Sequence, residues 1–291
     1  MIFYKPYSQN TFMHSTIDYT INTSGTSGMT KNAFDSYLFL DGKPKATTTM
    51  DTNDAAVKDA NGKYNLESVL AVRDKRLAIT LDPVLCFKGS AYSRAGVAAF
   101  TSTTGYGIAK YDNTAELSVS DRNSIGKQYT DCPLFWLSVV YLNFAEAKAE
   151  LGTLTQADLD NSINKLRAGL PAMTTSPEAD PANNMGVSNL LWEIRRCRRC
   201  KLMCDNWTRY WDLIRWHKLD LLDSSKNPTI YLGANMKNVE NPEVDVNSDG
   251  YMIGSNTINQ PRTYEAKHYF YPIPTTQLTL NSNMEQNPFW K

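Results

Sequence analysis

Helical periodicity is confined to the middle third of this 291-residue chain, and that confinement most restricts what it can fold into. The apolar residues Leu137, Val140, Tyr141, Phe144 and Leu151 recur at three- and four-residue steps, which places them on one face of a helix. Gly152 ends that helix with the left-handed cap glycine supplies most readily. Thr155 opens a second helix: its side chain can cap the amide of Asp158, and Leu154 can staple onto Leu159. Leu159, Ile163 and Leu166 form its buried stripe, and Gly169 with Pro171 stops it. The pair is an αα-hairpin about the length of one tetratricopeptide unit, although a single copy does not define an array. Ser188 caps a third helix that runs to about Cys204, with Leu190, Ile194, Cys197, Lys201 and Cys204 in one stripe.

The flanks read differently. Residues 1–130 are rich in Thr, Ser, Gly, Asn and Asp, with turn signals at Asp41-Gly42-Lys43-Pro44 and Asn61-Gly62. They predict long loops, short hairpins and a few helical turns. Within them Val72–Leu81 couples a charged cluster to a strand-like tail. Residues 131–222 form the helical core, and 223–291 are loops ending in a docked tail. There the aromatic, strand-like run His268-Tyr269-Phe270-Tyr271 stops at Pro272-Ile273-Pro274, and Pro288-Phe289-Trp290 offers an apolar anchor that pins the end. The fold class is mainly α, with long irregular loops and a few short strands, in a chain long enough to bury a sizeable core.

Thirty basic residues balance thirty acidic ones, so nothing steers the chain toward nucleic acid, and nucleic acid is not expected as a partner. The longest apolar stretch, Leu134 to Ala145, is broken by Ser138 and Asn143 and is too short to span a bilayer. Sixteen Tyr and six Trp either fill a core or offer flat faces on which sugars stack.

Five cysteines, an odd number, define no disulfide framework. Cys197, Cys200 and Cys204 could suggest a metal, but their spacing follows a helix face beside Leu190 and Ile194, and a tetrahedral site needs a fourth ligand that His217 is badly placed to give. No metal and no cofactor is expected. The arginines at 195, 196, 198 and 199 either hold an anion or pair with acids on packed neighbours. Arg209, Asp212 and Arg215, interleaved with Tyr210, Trp211 and Trp216, read as a buried brace in which the aromatics pack and the charges tie helix to loop. Trp211 and Trp216 are thus expected inside, with Asp212 bonded to arginine or backbone amides. Glu146 and Glu150 read as a solvated face, not as the two carboxylates of a glycosidase. No nucleophile elbow, zinc helix or phosphate loop is present, and the three histidines are scattered. An enzyme is not expected.

Several stretches, in order, resemble the SusD/RagB family of outer-membrane glycan-binding lipoproteins. Asp41-Gly42-Lys43-Pro44, Arg73-Asp74-Lys75-Arg76-Leu77 and Thr104-Gly105-Tyr106 look like its early landmarks. Ala145-Glu146-Ala147, then Asn164 and Arg167, match its helix pair, where Trp136 replaces a commoner Arg. The most specific stretch is Arg198-Arg199, Leu202, then Arg209-Tyr210-Trp211-Asp212-Leu213-x-Arg215-Trp216, with Cys197 and Lys201 where two Glu are usual and Asn206 for Gly. Pro272-Ile273-Pro274, Asn281 and Gln286-Asn287-Pro288-Phe289-Trp290 resemble the closing signature, with Phe289 standing for the usual Gly.

The resemblance implies the C-terminal part of a SusD-like, tetratricopeptide-containing domain, with the helical-repeat half and the lipid-anchoring segment outside this chain. It further implies a non-catalytic protein on the outer-membrane surface that binds oligosaccharide or polysaccharide for a SusC-like, TonB-dependent transporter. Its alternative is a structural or protein-interaction fragment without sugar affinity. The candidate sugar contacts are the N-terminal aromatics Tyr4, Tyr7, Phe12 and Tyr19, alternating with Asn10, Asp18 and Asn22. The same aromatics could instead cover an apolar surface. Two or three rings coplanar on one rim would favour sugar, and rings merged into a flat apolar patch would favour a protein contact.

Overall fold

The computed structural model describes residues 1–15, 28–90, 92–94, 97–100, 102–110, 117–122, 124, 126–205, 208–254 and 261–290. Among the described residues, eight short strands pair as antiparallel two-stranded ribbons: β1 (Phe3–Lys5) with β6 (Cys132–Phe135), β2 (Val57–Lys58) with β3 (Tyr64–Asn65), β4 (Tyr92–Arg94) with β5 (Val97–Phe100), and β7 (Leu232–Asn235) with β8 (Tyr251–Ile253). The early helices are α1 (Lys31–Asp35), α2 (Glu67–Ala71), α3 (Lys75–Thr80) and α4 (Val119–Arg122). The middle of the chain adds α5 (Leu137–Glu150), α6 (Gln156–Asp160), α7 (Asn189–Lys201) and α8 (Thr208–Arg215), and α9 (Thr275–Leu280) lies near the end. The molecule is mainly helical, with long irregular connections.

Local signals act where they were expected. Thr155 and Asp158 form a reciprocal capping box at the start of α6, Ser188 Oγ accepts from Leu191 N at 3.3 Å to start α7, and Gly152 closes α5 at φ +66°. The second helix breaks after Asp160 and resumes as the 3-10 turn Ile163–Leu166.

Helix α7 organises the interior because it meets three apolar clusters. Cys200 enters the largest, in which Phe34, Tyr37, Leu77, Leu81 and Tyr106 pack with Ala234, Met236 and Met252. Ile194 and Cys197 join Leu142 and Ala145 of α5 with Leu159, Ile163 and Met173. Trp192 packs against a third cluster of Met185, Leu213, Leu219 and Leu221. Each fully buried leucine in these clusters contributes on the order of 1.5–3 kcal/mol. The largest core therefore lies in the loop-rich first region, closed by residues 232–252. Arg73 is its polar centre: it is 1% exposed and donates to Phe34 O at 3.1 Å and Tyr37 O at 2.8 Å. Its guanidinium lies 4.8 and 4.3 Å from the Phe34 and Phe39 ring centres, so cation–π attraction offsets its desolvation.

Three sequence expectations are corrected. Leu77–Leu81 is helical through Thr80, because Asp74 caps α3 by accepting from Arg76 N at 3.0 Å. The aromatic run at 268–271 is not a strand; Ala266–Tyr269 is a 3-10 turn, stapled where His268 Nδ1 accepts from Glu265 N at 2.8 Å. The apolar stripe of α5 faces outward: Leu137, Val140, Phe144 and Leu151 are 45, 49, 43 and 75% exposed. The inner face is Ser138, Leu142, Ala145 and Glu146, whose small members let α5 approach α7 closely.

Candidate functional site

The N-terminal candidates occupy β1 and the turn after it. Tyr4 is exposed on β1. Tyr7 and Phe12 stack on each other, their ring centres 5.0 Å apart and the planes within 6°. His14 meets the Tyr7 ring edge-on at 4.6 Å, and Lys5 Nζ sits 4.7 Å from the Phe12 centre. Tyr7 and Phe12 thus each cover one face of the other. Ile2, Phe3, Leu134 and Phe135 of the β1–β6 ribbon are also exposed, with the Phe3 and Phe135 ring centres 6.3 Å apart, as are Leu137, Val140 and Phe144 of α5. Tyr19, Asn22 and Asp18 lie outside the described residues.

The Arg-Asp-Arg stretch makes a brace with a different membership from the one expected. Asp212 of α8 accepts from Arg198 Nε at 2.7 Å and Arg215 Nε at 2.9 Å. Glu146 is the second centre: it accepts from Arg215 at 3.0 and 2.6 Å and from Trp216 Nε1 at 2.6 Å. It is buried, which corrects its reading as part of a solvated face. Arg209 takes no part in these bonds; its guanidinium lies 5.8 Å from the Trp216 ring centre. Trp216 is half-buried, but Trp211 is 53% exposed, which overturns the expectation that it is inside. On α8, Asp212 and Leu213 turn inward, and Trp211, one residue earlier, cannot share their face. Of the clustered cysteines, Cys197 and Cys200 are buried, whereas Cys204 is exposed beyond the helix end.

Trp211 points instead to a surface that the sequence did not single out. Its ring centre lies 6.3 Å from that of Tyr271, which is 59% exposed. Beside them opens a cleft of about 360 Å³, lined by Tyr210, Tyr264, His268, Phe270, Tyr271 and Trp290, with Arg262 at its edge. The closing segment shapes it. Gln286 both donates to and accepts from the Ile273 backbone, at 2.9 and 2.7 Å, while Asn287 Nδ2 donates to Tyr271 O at 2.5 Å. Trp290 Nε1 donates to Lys267 O at 2.9 Å and Phe270 O at 2.7 Å, so Trp290 is the anchor of the tail; Phe289 is 65% exposed. The Tyr210 hydroxyl, bonded to Tyr271 and part-buried, is pushed up to about 12 and stays protonated as a donor. The described residues that line the cleft are aromatic, Arg262, Thr263, His268 and Pro272, side chains that can stack and hydrogen-bond. The clue in the sequence was the aromatic density of 264–271 with Trp290, once the strand reading is dropped.

A second cavity, of about 450 Å³, adjoins the first through Arg262. Arg195, Arg196, Arg199 and Arg209 line it. Arg195 bonds Glu150 at 2.8 Å and Arg196 pairs with Glu193. Burial pulls Arg196 down to about 10; burial, then the Arg199 charge, pulls Arg209 down to about 9.

Residues 3–290 match the SusD family. No match is found among curated proteins. Among solved structures, a SusD-like carbohydrate binding protein from Bacteroides fragilis is 21% identical with a TM-score of 0.67, over 98% of this chain and 54% of that one. A second SusD-like protein from Bacteroides fragilis is 20% identical with a TM-score of 0.61, over 100% of this chain and 54% of that one. A SusD superfamily protein from Parabacteroides distasonis is 18% identical with a TM-score of 0.50, over 99% of this chain and 50% of that one. The chain therefore spans about half the length of the solved structures it matches, and these likenesses speak for the fold. With the family matched across nearly its whole length, this chain belongs to the SusD family.

Proposed function

We propose that this chain binds oligosaccharide or polysaccharide at the outer-membrane surface, performs no chemistry, and passes the sugar to a SusC-like, TonB-dependent transporter. The observation that carries the binding step is the aromatic cleft beside exposed Trp211 and Tyr271 on a chain of the SusD family. Sugars present flat C–H faces that stack on such rings, while Arg262, Thr263 and His268 at the cleft supply partners for hydroxyls. No helix among the described residues is long and apolar enough to cross a membrane.

Calorimetric titration with a panel of plant and host polysaccharides tests the reading. The expected result is binding that weakens at least tenfold in Trp211→Ala and Tyr271→Ala, with a melting temperature lowered by no more than about 4 °C. Absence of binding, or binding indifferent to both substitutions, overturns it. A second reading, a protein-contact or structural fragment without sugar affinity, is favoured by the exposure of the large apolar residues Ile2, Phe3, Phe135, Val140 and Phe144. It predicts no glycan binding, and loss of self-association or partner capture when Phe135 and Phe144 are made Ser.

A further inference from the structure

We infer that the arginine-lined cavity beside the aromatic cleft is a subsite for the oxyanion of an acidic saccharide, a carboxylate or sulfate carried by a sugar. This deepens the glycan-binding reading and rests on it for the identity of the ligand's carrier.

The charge balance of the cavity points to an anion. Of its lining acids, Asp35 pairs with Lys31 through Oδ2 and keeps a buried Oδ1 without a donor, and Asp180 already accepts from Trp192 Nε1 and Ala182 N, each at 2.9 Å. Lys45 is held by Asp54 at 2.7 Å. Among the described residues Arg199 and Arg209 form no direct ion pair, although the charges of Asp35 and Asp212 reach Arg199 and Arg209 respectively. Arg196, although paired, keeps Nε and Nη1 without any acceptor, and Arg199 keeps Nε without one. Buried cations are ordinarily matched by anions, because desolvation without pairing is costly. Here Arg196, Arg199 and Arg209 line one cavity, and burial, then the Arg199 charge, lowers the proton affinity of Arg209. An oxyanion between them would relieve both the desolvation and the repulsion.

The donor type narrows the ligand further. Guanidinium groups are planar forks that match carboxylate and sulfate oxygens two at a time. A volume of about 450 Å³ lies within the range of small-ligand pockets and exceeds what a bare ion needs. Its remaining wall includes Leu213, Leu221 and Ile230, apolar surface suited to a sugar ring but not to a hydrated ion. Arg262 lines both this cavity and the aromatic cleft, so a chain stacked on the aromatic rings has its acidic substituent next to the arginines.

Titration of the chain with digalacturonate, with the neutral disaccharide cellobiose and with sodium sulfate, at fixed ionic strength, tests the inference. Digalacturonate is expected to bind at least tenfold more tightly than cellobiose and tenfold more tightly than sulfate. Arg199→Gln and Arg209→Gln should each remove that preference while leaving cellobiose affinity within twofold. Where a variant does not fold, phenylglyoxal labelling of the wild-type chain replaces it: digalacturonate, not cellobiose, should protect the Arg199 peptide. Equal affinity for the acidic and neutral disaccharides, or labelling indifferent to digalacturonate, overturns the subsite and leaves the glycan reading standing. Sulfate as tight as digalacturonate overturns the saccharide as carrier and assigns a free-oxyanion site. Digalacturonate binding without affinity for any longer glycan upholds the subsite and sinks the polysaccharide reading.

Discussion

Arg215 meets Glu146 through two of its nitrogens, at 3.0 and 2.6 Å, and so ties α8 to α5 across the middle of the molecule. Glu146 also lies 3.6 Å from Arg195 and accepts from Trp216, so one carboxylate serves Arg195 of α7, Arg215 of α8 and the residue just after α8. Removing it takes one of two carboxylates from Arg215 and from Arg195, which keep Asp212 at 2.9 Å and Glu150 at 2.8 Å, and leaves the Trp216 N–H without its acceptor. Glu146→Ala is expected to destabilise the fold by about 3 kcal/mol, at the low end for a broken buried pair because the Arg215 side chain is 45% exposed. A urea denaturation midpoint unchanged from wild type would count against the brace.

Trp211→Ala should lower stability by no more than about 1 kcal/mol, since much of the ring already meets water. The same change at Trp216, which packs beside Leu213 and under the Arg195 guanidinium at 4.4 Å, should do markedly more damage. Thermal melts of the two variants side by side decide it; a Trp211→Ala protein that melts as early as Trp216→Ala would refute the exposed placement.

Phe289 sits at φ +66°, where a side chain is strained by roughly 1–2 kcal/mol. Phe289→Gly releases that strain and gives back part of it as added freedom of the unfolded chain. A net gain of about 0.5–1 kcal/mol is expected, read as a higher denaturation midpoint. A lower midpoint would mean that the ring's contact with Phe270, at 6.4 Å between centres, outweighs the backbone strain.

Asp54 gives the fold an acid limb. Burial pushes its pKa up, but bonds from Lys45 at 2.7 Å, Asn235 at 2.6 Å and Tyr251 at 2.9 Å prevail and hold it below the usual carboxylate range. A carboxyl group depressed in the fold stabilises it above the unfolded value, and that contribution fades as pH falls below about 4. Denaturation midpoints measured from pH 7 to pH 3 should therefore fall less steeply in Asp54→Asn than in wild type. Parallel curves would exclude Asp54 as a source of the acid sensitivity.

What could be read in advance follows a physical divide. Caps at Thr155 and Ser188 and the turn at Gly152 depend on neighbours within four residues, and they are legible. Which face of a helix is buried depends on its partner, and α5 shows the hazard: its largest apolar residues lie opposite α7, while Ala145 and a charged Glu146 face it. Trp211 was misplaced for the same reason. The family resemblance was carried by Arg198, Asp212, Arg215 and Trp216, residues whose mutual bonds hold the brace, and by Gln286-Asn287, whose amides grip the Pro-Ile-Pro segment. The aromatic cleft was hidden because it gathers Tyr210, residues 262–272 and Trp290, and no local pattern announces a surface drawn from three separate stretches.

Residues 29–108 share their core with Ala234, Met236 and Met252, and Thr104 O accepts from Ala234 N at 2.8 Å. The fit is so close that a Cβ at Gly233 would lie 2.2 Å from that same carbonyl. During synthesis this first region leaves the ribosome with Phe34, Leu77, Leu81 and Tyr106 unsheltered until β7 and β8 follow. The locally bonded middle helices can form in the meantime, but the long loop between Thr104 and Ala234 must close before the largest core exists. Completion of the largest core thus waits on the last third of the chain, and until then its apolar residues stay open to water and to aggregation.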